Sequence, residues 1–91
     1  MATIKGKTGT GFEFEIDREV LEDAEFLEAY RKQEHNGMEL FDFIKIAIGE
    51  DQKKKLYDHV RNEKGRVPMS KLKEELGDIL LSLADNPETK N

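Results

Sequence analysis

The residues able to do chemistry in this chain are few, and their spacing does not gather them. Histidine occurs twice, at His35 and His59, each in a polar stretch. A catalytic or metal-bound histidine needs a partner that orients its second ring nitrogen. Asp58 precedes His59, but neighbours along a helix point in different directions. Neither histidine has a second histidine or a carboxylate at a zinc-motif spacing. Cysteine is absent, which excludes thiolate metal sites and disulfide scaffolds and fits a reducing compartment. Ser70 and Ser82 have no general base placed beside them by a motif. Gly6-Lys7-Thr8 shares its residue types with the end of a phosphate loop. It lacks the preceding glycine-rich run, however, and a strand rather than a helix follows, so it reads as part of a turn. The carboxylates read as solvated helix faces. This pattern points to a protein that is not an enzyme, with no catalytic residues, no cofactor and no metal.

The elements that would position these groups come from a chain of 91 residues, the size of one domain with a thin core. We read residues 1–84 as that domain and the polar, proline-containing stretch 85–91 as a disordered tail. Net charge is −5 and unevenly spread. From Phe12 to Lys45 eleven acids oppose four bases, giving −7, whereas from Glu50 to Glu75 eight bases oppose six acids, giving +2. This balance argues against nucleic acid as a partner, because a phosphate-binding surface needs a clearer basic excess. The longest apolar-rich segment, Leu40 to Ile48, is interrupted by Asp42 and Lys45. It falls far short of the roughly 20 residues that span a bilayer. With no apolar stretch near the start to serve as a secretory signal, the expected location is the cytoplasm.

Periodicity predicts an α+β fold, mainly α, with an N-terminal β-hairpin (3–16) packed on a bundle of about four short helices. Phe12, Phe14 and Ile16 alternate with Glu13 and Glu15, the period of a half-buried strand. Gly9-Thr10-Gly11 supplies the turn. Pairing Thr8 with Phe12 sets Lys7 against Glu13, Lys5 against Glu15 and Ile4 against Ile16, so that the charges share one face with opposite signs across the strands. A lone hairpin is marginal in water, so its apolar face must lie on helices or on another subunit.

Asp17 is the expected N-cap of a first helix, with Val20, Ala24 and Leu27 as its stripe, Phe26 and Tyr30 to one side, and Gly37 as its left-handed cap. A second helix, Met38 to Ile48, is apolar nearly all round, which marks it as buried, with Leu40 and Ile44 in the core. Gly49 ends it. A third runs from about Glu50 to Glu63 with Leu56, Tyr57 and Val60 along one edge. A fourth, from Pro68 or Ser70 to about Ala84, carries Leu72, Leu76, Ile79, Leu80 and Leu83 at helical spacing, with Leu81 outside the stripe. The last two helices, joined by a glycine-containing turn, also have the outline of a helix-turn-helix DNA-binding regulator. Six acids lie in the segment from Asp51 to Leu83, and the second helix opens without a base-reading asparagine, glutamine or arginine, so a packed helical hairpin is the better reading.

The order of these features resembles a known family. It comprises Gly11-Phe12-Glu13-Phe14-Glu15-Ile16-Asp17, an acidic helix with Glu25-Phe26-Leu27-Glu28, the run from Gly49 through Lys53-Lys54-Lys55 to Arg61, and Gly65-Arg66-Val67-Pro68. The chain is similar, over residues 3–84, to the small tail-assembly chaperones of long-tailed phages and prophages of Gram-positive bacteria. The resemblance implies a chaperone that coats the tape-measure protein while tail tube subunits assemble around it, and that is absent from the mature virion. Its expected partners are the tape-measure protein, the tail tube protein and further copies of itself in a homo-oligomer. Large apolar groups lying off the main stripes often mark interfaces, and aromatic side chains bury much area. Phe26, Tyr30, Phe41, Phe43 and Leu81 are the expected partner contacts.

Overall fold

The computed structural model describes residues 3–85; the rest of the expected tail, 86–91, lies outside the described residues. Strand β1 (Thr3–Lys7) pairs antiparallel with β2 (Glu13–Asp17), and three α-helices follow: α1 (Ala24–His35), α2 (Leu40–Val60) and α3 (Met69–Asp85). The architecture is α+β and mainly helical. β2 lies against α2, β1 lies against α3, and α1 packs on α2, which is therefore the central element.

The hairpin has the register set by its charge pattern. Ile4 faces Ile16, Lys5 faces Glu15 and Lys7 faces Glu13. The Thr8 amide donates to the Phe12 carbonyl at 2.9 Å, closing the turn. Ile4, Phe12, Phe14 and Ile16 are buried, while the charged residues between them are exposed. The close fit of sheet on helix fixes Gly6, where a β-carbon would lie 2.5 Å from Phe14 Cζ and 2.8 Å from Ser82 Oγ. On the outer side of β2, the Gln52 amide of α2 pairs with the backbone of Glu15. The Glu15 N–H donates to Oε1 at 2.7 Å and Nε2 donates to the Glu15 carbonyl at 2.6 Å. A side chain thus occupies an edge that would otherwise be open to another strand.

The structure has three helices where periodicity suggested about four. The expected second and third helices follow one another within α2, and Gly49 ends the first of them as expected: it alone leaves helical geometry, at φ 84° and ψ 165°, and kinks the element. That backbone region is open essentially only to glycine. Leu40, Phe43, Ile44, Ala47 and Ile48 of its first half are buried, as is Leu56 of its second.

The first helix also differs from expectation. Asp17 caps only a 3₁₀ turn, Arg18–Glu22. The chain then extends at Asp23, which caps α1 afresh by accepting from the Glu25 amide. This second start resets the phase. Val20 and Leu21 half-bury in the 3₁₀ turn, Phe26 becomes the core residue of α1, and Leu27 of the expected stripe is 53% exposed. Gly37 does not adopt the left-handed cap; Asn36 ends α1 in an extended conformation. In α3 the expected stripe holds: Leu72, Leu76, Ile79 and Leu83 are buried, Leu80 is half-buried and Leu81 is 65% exposed.

Two substitutions probe the central helix. Ile44→Ala is expected to lower unfolding free energy by about 2–5 kcal/mol in urea titration, the range for truncating a buried large aliphatic. Gly49→Ala is expected to lose about 1–3 kcal/mol through backbone strain, with no loss of packing.

Candidate functional site

The five expected contact residues divide between core and surface. Phe26 and Phe43 are core groups, 6% and 0% exposed, with ring centroids 5.3 Å apart. Tyr30 joins them from one side, 5.7 Å from Phe43, and is half-buried, as is Phe41. Its phenol donates to the Glu34 carboxylate, which together with that residue's negative charge and partial burial raises the Tyr30 pKa above its ordinary value. Leu81 stands in solvent. Among the described residues, the other large apolar groups with broad exposure are Leu27, Met38 and Ile46.

A groove of about 580 Å³ lies between α1 and α3. Its floor is Leu40, Leu76 and Leu80, with Glu34 on the α1 wall and Lys73 and Gly77 on the α3 wall. Leu27, Tyr30 and Glu34 stand at i, i+3 and i+7 and so share a flank of α1. Leu81 follows Gly77 by one turn, and Met38 adjoins Gly37, which also lines the groove. The other flank of α1 bears a different groove, about 470 Å³, with Ala29 and Ile46 among four carboxylates and the two lysines Lys32 and Lys45. The groove between α1 and α3 has the apolar floor that a helix-binding surface needs, and the exposed Leu81 stands one helical turn from its Gly77.

A polar cluster holds the hairpin against the helices, and sequence reasoning passed over it. Glu75 of α3 is 3% exposed, and its Oε2 accepts from the Thr10 hydroxyl at 2.7 Å. Since that hydroxyl has one proton, Thr10 Oγ1 must accept at its 2.8 Å contact with His59 Nε2, which places a proton on that nitrogen. The Thr8 hydroxyl, 3.3 Å away, accepts from the Phe12 amide at 3.0 Å and has its own proton for Thr10. Gly9 donates to Asp78 Oδ2 at 2.8 Å, a second tie from the turn to α3. The His59 ring lies 5.5 Å from that of Phe12. Glu75 Oε1 has no hydrogen-bond partner, and His59 Nε2 lies 4.0 Å from it.

A hydroxyl between an imidazole and a carboxylate invites comparison with a nucleophile and its base, but the polarity runs the other way. Here the imidazole presents a proton to Thr10 and cannot take one from it. The cluster therefore acts as a fastening. His59, read from sequence as a surface residue, is a member of it, with a side chain 29% exposed. His35 is exposed at the end of α1. Among the described residues no group of three or more histidines and carboxylates is placed to hold a metal ion, and no helix is long and apolar enough to cross a membrane.

Against known protein families, curated proteins and solved structures the chain has no match.

Thr10→Val removes the donor to a buried carboxylate and is expected to lower stability by about 1–3 kcal/mol in urea titration. Adding Glu75→Met, which replaces the stranded acceptor with an apolar group, is expected to recover most of that loss. A double variant no more stable than the single would assign Glu75 a role beyond pairing with Thr10.

Proposed function

We propose that this protein is a tail-assembly chaperone of a phage or prophage, which binds helical segments of a tape-measure protein in the α1/α3 groove and keeps them soluble in the host cytoplasm. The observation that carries the reading is the groove itself: Leu40, Leu76 and Leu80 line its floor, and Leu81, one turn beyond Gly77, is 65% exposed. An amphipathic helix laid into such a groove buries its anchors at i, i+3/i+4 and i+7. The resemblance of the hairpin, the acidic first helix and the basic run of α2 to this chaperone family supplies the client's identity. An acidic exterior supports the reading as well, since a net charge of −5 helps keep a complex with an aggregation-prone client dispersed.

Tyr30 and Leu81 are the retained contacts. Phe41 offers a half-buried ring, while Phe26 and Phe43 support Tyr30 from within the core. Further copies of the chain and the tail tube protein are the other proposed partners, and the finished virion is proposed to lack the protein.

The test is co-expression with the tape-measure protein encoded beside it. The client is expected to become soluble and to co-purify, in a complex that tolerates salt because apolar burial drives it. Leu81→Glu is expected to change stability by no more than about 0.5 kcal/mol, as befits an exposed site, yet to reduce recovery of soluble client. A client equally insoluble with and without the wild-type chain would refute the proposal. Tight, strongly salt-dependent binding to random-sequence DNA would favour the regulator reading instead.

A further inference from the structure

Gly77 lies in the interior of α3, where glycine is the least favourable residue after proline. Its backbone is not in the left-handed region; the positive-φ glycines are Gly11, Gly49 and Gly65. A β-carbon at Gly77 would have no heavy atom within 4 Å, whereas one at Gly6 would collide with Phe14 and Ser82. Neither the backbone of this chain nor its packing therefore requires a glycine at position 77. Alanine would fit and would strengthen the helix. The missing methyl borders the α1/α3 groove, whose lining also includes Gly37, another glycine with open space where its β-carbon would be.

The charges beside the groove are divided between its walls. Glu34 stands on the α1 side and engages the neutral Tyr30 phenol. Lys73 stands on the α3 side and has no ion pair among the described residues. An occupant complementary to both walls carries bases along one flank and acids along the other. Reversing a helix in a groove exchanges its flanks, so this division of charge sets the direction in which the helix lies.

We infer that the groove takes one amphipathic helix of a partner protein, crossing α3 at Gly77 with its backbone close to the glycine, its apolar ridge on Leu40, Leu76 and Leu80, a basic flank along Glu34 and an acidic flank along Lys73. This rests on the client-binding reading above and specifies its geometry. Small residues at a helix crossing let two backbones approach, and a side chain there holds them apart.

The experiment uses the full chain and a designed helical peptide of about 20 residues, roughly 30 Å long, with a leucine–alanine ridge, lysines on one flank and glutamates on the other. Gly77→Ala is expected to raise the thermal midpoint by roughly 4–8 °C while weakening peptide affinity about tenfold. Gly77→Leu is expected to weaken it further. Glu34→Lys and Lys73→Glu are each expected to weaken binding several-fold. The double reversal is expected to restore it with the peptide turned end for end, as read from a paramagnetic label on the peptide's N-terminus. Wild-type affinity in Gly77→Ala, the same peptide direction in the double reversal, or no peptide binding by the wild-type chain would each overturn the inference. The client reading is judged apart from this. Solubilisation of the tape-measure protein by Gly77→Leu as well as by wild type would sink this geometry and leave that reading standing, whereas failure by the wild type would remove the reading itself.

Discussion

Burial of the hairpin's apolar face against α2 and α3 is the contact on which the rest of the structure depends. Two strands alone do not hold in water, and Ile4, Phe12, Phe14 and Ile16 bring large apolar groups that gain about 1.5–3 kcal/mol each when removed from solvent. The helices need the hairpin as much. The first half of α2 is apolar on nearly every side, and a chain this small has little else with which to cover it. Sheet, α1 and α3 each take one side of α2, and this demand sets their places.

Apolar burial alone would leave the sheet free to slide, and the polar ties supply direction. Gln52 pairs with the backbone of Glu15 on the outer edge of β2, while Thr10 and Gly9 bind Glu75 and Asp78 on α3. The carboxylate of Glu75 can only accept, so it orders the hydroxyls of Thr10 and Thr8 and the proton on His59 Nε2 into one arrangement. A buried acid is costly when unpaired. Its cost here becomes specificity for a single docking position of the turn.

The two faces of the molecule then differ in kind. Around the hairpin and the second half of α2, hydrogen bonds, ion pairs and ring contacts tie the elements together, with Glu75 Oε1 left without a hydrogen-bond partner. Along the α1/α3 groove, Leu80 and the glycines are only partly covered, and neither the backbone nor the packing of the fold requires the helix-weakening Gly77. Such an imbalance between a finished face and an unfinished one is what a binding protein requires, because surface left uncovered in the free chain is what a partner can cover.

Local pattern determined a good part of this. The alternation of Phe12, Phe14 and Ile16 with glutamates, and the lysines placed to oppose them, specified the hairpin register, since a slip of one residue would turn the apolar set outward. The leucine spacing of α3 specified its buried side and the exposure of Leu81. The phase of α1 was less legible, because the sequence offered Asp17 as the cap whereas Asp23 restarts the helix. The break between the second and third expected helices was legible at Gly49, the residue able to take the non-helical conformation found there. What only the tertiary structure decided was proximity across the chain. Thr10 lies 49 residues from His59 and 65 from Glu75, and the groove joins α1 to α3 although the whole of α2 separates them in sequence. Spacing along a helix or strand reports which residues share a face of one element. Which faces then meet depends on how the central helix is covered from all sides at once, and no single segment carries that information.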